Sequence, residues 1–141
     1  ARMTDLVTAD PELAAIDRRL RTAPGVGPVV AATLIAELPE LGQIDRRSIA
    51  ALAGLAPIAR DSGRRSGPRS IGGGRPIVRT ILYLAALQAS RRSPDFIHFR
   101  ERLQAAGKSV KAAIIATARK LVVTLNAMLA SGTDYRPTAA V

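Results

Sequence analysis

Residues 110–129 read VKAAIIATARKLVVTLNAML and run into Ala130, Ser131 and Gly132. This is the longest helical pattern in the chain, and it decides the fold class. Apolar and small residues recur at helical spacing until Ser131-Gly132 ends the run. Upstream, Phe96 to Ala106 is amphipathic and stops at Gly107, a natural C-cap. Ser93-Pro94-Asp95 separates it from a helix of apolar residues and alanines at Ile77 to Arg91. Asp45 to Ala53 reads as a short helix, with Asp45 as N-cap and Ile49, Leu52 and Leu55 facing inward. Pro39 to Gln43 is a turn, and Val29 to Glu37 is a helix of small and apolar residues. Leu6 to Thr22 is a further helix, with Asp10-Pro11-Glu12 as N-cap, N1 and first-turn acid and Leu13, Ile16 and Leu20 on one face.

The chain of 141 residues fits one domain over 1–141, with a core at about 20–130, a loop at 57–76 and a frayed tail at 133–141. Hydrophobic residues make up 48% and aromatics only 3%, so the core is built from Ala, Leu, Ile and Val. That composition favours close-packed helices over a sheet sandwich. The expected fold is an all-α compact bundle of five or six helices.

The formal net charge of +10 calls for a polyanionic partner, because each phosphate contact releases a counterion. Nucleic acid is the first such partner and an anionic membrane surface the second. The Ala-rich apolar faces lack the aromatic anchors that a membrane surface selects. There is no cysteine, which excludes a disulfide framework and a Cys-based zinc site and fits a cytoplasmic protein. No apolar run reads as membrane-spanning and no signal peptide is visible, so no membrane partner is expected. The chain opens directly into a helical pattern and reads as an internal piece of a longer polypeptide.

Pro24-Gly25-Val26-Gly27-Pro28 breaks the first two helices and has the form of a helix-hairpin-helix. Its glycines permit a tight turn, and the next helix offers free amides and a positive dipole end. Gly25, Val26 and Gly27 are therefore candidate phosphate contacts, with Ala31 small enough for close helix approach. Pro28 removes one donor, and an ordinary Gly-Pro connection is the alternative.

The stretch Pro57 to Pro76 is rich in Gly, Ser, Arg and Pro and reads as a flexible loop. From residue 60 to residue 79 it presents Arg60, Arg64, Arg65, Arg69, Arg75 and Arg79 beside one acid, Asp61. Arginine suits a phosphate grip because its planar fork matches phosphate oxygens. Ser62, Ser66 and Ser70 lie among them. A serine hydroxyl attacks a phosphodiester only when a base or metal takes its proton and cations offset the developing charge. Arginines meet the second need only, and a basic linker with incidental serines is the alternative.

Lys108, Lys111, Arg119 and Lys120 form a basic set at the last helix, either a solvated face or one wall of a nucleic-acid groove. Tyr83 reads as core and His98 as a surface or packing residue. Gly107-Lys108-Ser109 lacks the upstream glycine and strand of a nucleotide-binding loop.

An ordered set of short motifs then narrows the function. Ile49 to Pro57, Asp61-Ser62-Gly63, Ile71 to Arg75 and Arg79 to Ala86 come in turn, followed by Phe99 to Leu103, Gly107-Lys108 and Ala118 to Leu121. Together with Pro24 to Gly27 they resemble the C-terminal transposase domain of insertion-sequence families 116/110/902, over roughly Leu20 to Leu129. The resemblance implies a DNA-binding domain that carries a serine nucleophile. It places that serine at Ser62, with the repeated dipeptide Ser66-Gly67 as second candidate. It gives Arg75 and Arg79 phosphate or RNA contacts. It also implies a separate RuvC-like domain in the same polypeptide, whose acidic set binds Mg2+. A structured guide RNA, homo-oligomerisation and a cytoplasmic, nucleoid-associated location follow from the same resemblance. Glu37, Glu40, Asp45 and Asp61 form no such acidic set, so no metal site or cofactor is expected in this chain and the fragment is expected to be inactive alone. A non-catalytic nucleic-acid-binding helical module is the alternative function.

Overall fold

The structure, a computed structural model, describes residues 9–56 and 74–137. It is all-α, with no strand among the described residues. The helices are α1 (Pro11–Leu20), α2 (Pro28–Glu37), α3 (Arg46–Leu52), α4 (Pro76–Arg92), α5 (Pro94–Ala105) and α6 (Val110–Ser131).

Local chemistry sets their ends. Asp10 Oδ1 accepts from the amides of Glu12 (2.8 Å) and Leu13 (3.1 Å), and Asp45 Oδ1 accepts from Ser48 N (2.8 Å). Each such cap stabilises its helix by about 1 kcal/mol. α2, α4 and α5 begin on prolines, where a missing N–H costs nothing. Ser109 caps α6 through its hydroxyl, and Gly107 ends the preceding segment at φ +103°. The Gly-Lys-Ser triplet is thus helix punctuation. Of the loop expected at 57–76, residues 57–73 lie outside the described residues and Pro76 is the first residue of α4.

α6 is the hub. It packs against α1, α3, α4 and α5, while α4 also meets α2 and α5. Its buried stripe includes Ala113, Ile114, Ala118, Leu121, Val122 and Leu125. α4 contributes Val78, Leu82, Ala85, Ala86 and Ala89 to the same core. The alanines facing these contacts let the helices approach closely, which is how a core works with Phe96 as its one fully buried aromatic ring. The buried Asn126 is satisfied at both ends: Gly42 N donates to its Oδ1 (2.6 Å) and its Nδ2 donates to Ile44 O (2.9 Å). That amide stitches the α2–α3 turn to α6.

Two expectations change. At 22 residues with a mean hydropathy of 1.5, α6 is long and apolar enough to cross a membrane by length and composition, contrary to the sequence reading. Half of that apolar stretch is buried inside the protein, where it forms the core. Of the tail expected to fray over 133–141, Asp134 and Tyr135 are held, and residues 138–141 lie outside the described residues. Tyr135 packs on Phe96, and its hydroxyl donates to Asp95 Oδ2 (2.5 Å). Tyr135 N donates to Thr22 Oγ1 (2.9 Å), and Arg19 Nε donates to Asp134 Oδ1 (3.1 Å).

Candidate nucleic-acid interface

The described residues on either side of the Ser/Gly/Arg segment end at Ala56 and resume at Gly74. Arg60, Ser62, Arg64, Arg65, Ser66 and Arg69 lie outside the described residues. Its two roots are described, and they cross. A Cβ on Gly74 would land on the amide nitrogen and Cα of Gly54, and 2.5 Å from the Leu52 carbonyl oxygen. Only glycine at position 74 allows this approach. Arg75 N donates to Leu52 O (2.9 Å) and Leu55 N to Ala50 O (2.8 Å), which ties each root to α3. Gly54 itself sits at φ +74°, a conformation that disfavours any other residue.

The two arginines beyond the crossing have different fates. Arg75 points to the α2–α3 turn and forks onto Glu40: Nη1 to Oε1 at 2.7 Å and Nη2 to Oε2 at 2.8 Å. Nη1 also donates to Glu37 O (3.1 Å). The Arg75 hydrogen bonds hold the Glu40 carboxyl at a pKa of about 2, and Glu40 in turn raises that of Arg75. Arg75, expected to contact phosphate, is here a clamp on the segment's return. Arg79, one turn on, lies over Gly54, and its buried Nη1 has no hydrogen-bond partner. A charged donor left unpaired away from water is costly.

Arg79 also lines a cavity of about 230 Å3 between α4 and α6, with Leu55, Thr80, Tyr83, Leu84, Lys111 and Ile115. Tyr83, expected in the core, packs against it on one side and lines this cavity on the other. No acid is among the described lining residues. The basic set of the last helix therefore divides. Lys111 is exposed at the cavity. Lys111, Ile115 and Arg119 follow one stripe at intervals of one turn, and Arg119 Nε is buried without a hydrogen-bond partner. Lys120 sits half a turn away from Lys111 and stacks over Phe99 (4.9 Å) and Phe96 (6.0 Å). Lys108 is exposed in the turn before α6, and His98 is exposed on α5.

The Gly hairpin is packed more tightly than expected. Gly25 has φ +80°, and a Cβ there would collide with the Ala85 carbonyl of α4. Val26 is buried, and its amide already donates to Ala23 O (3.2 Å). Gly27 is open, with nothing within 4 Å of a Cβ placed on it, and it leaves α2 without a side-chain cap. Ala31 is fully buried, as its small size suggested.

The cavity and the Glu40 clamp escaped the sequence reading. Tyr83 and Leu84 following Arg79 within five residues was the available signal for the first. Nothing local signals the second.

A model of the Transposase IS116/IS110/IS902 family matches residues 17–104, more than half of the chain. The chain belongs to the IS116/IS110/IS902 family of transposases. It is 35% identical over 122 residues to the insertion element IS900 uncharacterized 42 kDa protein of Mycobacterium paratuberculosis, covering 81% of this chain and 29% of the relative. It is 33% identical over 124 residues to the insertion element IS116 uncharacterized 44.8 kDa protein of Streptomyces clavuligerus, covering 84% and 30%. It is 30% identical over 118 residues to the insertion element IS110 uncharacterized 43.6 kDa protein of Streptomyces coelicolor, covering 82% and 29%. This transposase chain thus spans under a third of the length of these relatives. The family match takes in the hairpin, both roots of the Ser/Gly/Arg segment and all of α4.

Proposed function

We propose that this chain is the DNA-binding, serine-bearing part of an insertion-sequence transposase, directed by a structured guide RNA. The observation that supports it best is the root of the Ser/Gly/Arg segment. Gly54 and Gly74 meet beside Arg79, and Arg79 and Lys111 line one cavity with no carboxylate among its described lining residues. Ser62 is the proposed nucleophile. Its Oγ gives up a proton to a base outside the segment and forms a bond to a DNA phosphorus, and the P–O bond to the leaving strand breaks. Cationic side chains around the segment offset the charge that develops on the phosphoryl oxygens.

The Mg2+ of the reaction belongs to a RuvC-like domain of the same polypeptide. Four of the described acids already have other work. Glu40 is held by Arg75, Asp17 by Arg21, and Asp10 and Asp45 cap helices. The acting species is a homo-oligomer of the whole transposase, with DNA and guide RNA as partners in the cytoplasm at the nucleoid.

The test is Ser62→Ala in the full-length transposase. Strand exchange and any covalent protein–DNA adduct are expected to vanish while nucleic-acid binding persists. Loss on Ser66→Ala alone would move the nucleophile to Ser66. Full activity in both variants would leave the non-catalytic binding module as the reading.

A further inference from the structure

We infer that the cavity between α4 and α6 is a seat for one unpaired nucleotide, its base held against Tyr83 and Leu84 and its phosphate at Arg79 and Lys111. This deepens the proposed nucleic-acid reading and rests on it. Four observations converge.

The first is size. At about 230 Å3 the cavity falls below the usual range for a drug-sized ligand and suits a fragment of roughly one base. The second is the lining. Leu55, Leu84 and Ile115 are apolar, and Tyr83 adds an aromatic ring with a polar tip. A nucleobase has two flat faces and polar edges, so apolar and aromatic walls are its natural container. The third is charge. Among the described lining residues, Arg79 and Lys111 are the only charged ones, and both are positive. The fourth is want of a partner. Arg79 Nη1 is buried and unpaired, whereas Arg75 four residues earlier is fully engaged. That nitrogen lies against Gly54, so a phosphate at the cavity mouth meets the rest of the guanidinium and supplies a counter-charge that no described lining residue gives.

A paired duplex cannot enter such a cavity, because its bases are stacked and its edges turned inward. A base reaches the cavity only from a single strand or after leaving the stack. Leu84, 50% exposed, marks the open rim. Because the walls are mostly apolar, the seat holds any base by stacking and does not read its identity.

The experiment compares two 12-residue single strands of equal charge: oligo-dT, and an abasic deoxyribose-phosphate strand. Both are titrated into the full-length transposase at low salt and read by anisotropy. The base-bearing strand is expected to bind more tightly. Tyr83→Leu is expected to cost about 5–100-fold for oligo-dT, the range of one base–aromatic stack, and to leave the abasic strand unchanged. Leu84→Ser, at a half-exposed position where folding is not at risk, is expected to move affinity in the same selective direction. If both variants bind the two strands as the parent does, or lose both equally, the nucleotide seat is wrong and backbone binding stands. If the parent binds neither strand, the wider nucleic-acid reading fails and the seat with it.

Discussion

Two glycine turns meet α4 and its surroundings, and they are used in opposite ways. At the hairpin, Gly25 lets backbone press on the Ala85 carbonyl while Val26 sinks into the core. No buried side-chain nitrogen without a hydrogen-bond partner is found there among the described residues. At the crossing, Gly54 and Gly74 let two chain segments touch, and the guanidinium of Arg79 lies against them with one nitrogen unpaired. Both turns look alike as strings of Gly and Pro. The difference lies in what stands beside the glycines. A turn whose neighbours are all apolar is spent on packing. A turn that leaves a charged group without a partner has something still to bind.

The sharpest way to break this contrast is Gly25→Ala. The new methyl faces the φ +80° backbone and the Ala85 carbonyl together. Left-handed strain costs about 1–2 kcal/mol, and overpacking adds about 1–3 kcal/mol. The sum predicts one of the largest stability losses of any single substitution in the bundle. Urea unfolding followed by circular dichroism measures it. A loss under about 1 kcal/mol would mean that the hairpin is not packed as described.

Next in size is the divergence of Arg79 and Arg75. Arg79→Ala is expected to weaken nucleic-acid binding and to reduce the slope of log affinity against log salt by about 1, with little change in folding. Arg75→Ala should do the reverse, loosening the segment's return while leaving the salt slope nearly intact. Its clamp has a pH signature. Glu40 has a folded pKa of about 2, below its ordinary 4.5. Its contribution is therefore present above pH 4.5 and fades as pH falls toward 2. Glu40→Gln should flatten that part of the acid-unfolding curve. Equal salt slopes for the two arginine variants would erase the distinction between them.

This pair also shows where sequence reading stops. The helices were legible because their signals are local: Asp10 and Asp45 as caps, prolines at helix starts, Gly107 and Gly132 at ends. The phosphate or RNA contact expected of Arg75 came from the family resemblance. Its actual partner, Glu40, is 35 residues away and reaches it only through the packing of α4 against α2. Tyr135 and Asp95, 40 residues apart, pair for the same reason. Periodicity tells which face of a helix is buried, not which charge on another element will be opposite. Lys120 makes the same point: counted with Lys111 as one basic set, it proves to sit over the rings of Phe96 and Phe99. The family motif, by contrast, was visible because it is an ordered string, and order survives in sequence.

The smallest effect belongs to Gly27→Ala, and it decides what the hairpin retains. Gly27 has φ −101°, open to any residue, and a Cβ there meets nothing within 4 Å. Its replacement is expected to shift stability by no more than about 0.5 kcal/mol, the ordinary range for surface substitutions. Binding is a separate question. Val26 N–H is committed inside the turn and Pro28 has no N–H, so the hairpin has few donors left for a phosphate. If those few still touch one, the added methyl will stand in its path and weaken binding at low salt, by less than Arg79→Ala does. If stability and binding are both unchanged, the hairpin is a packing turn only, and the phosphate grip lies wholly on the side of the crossing.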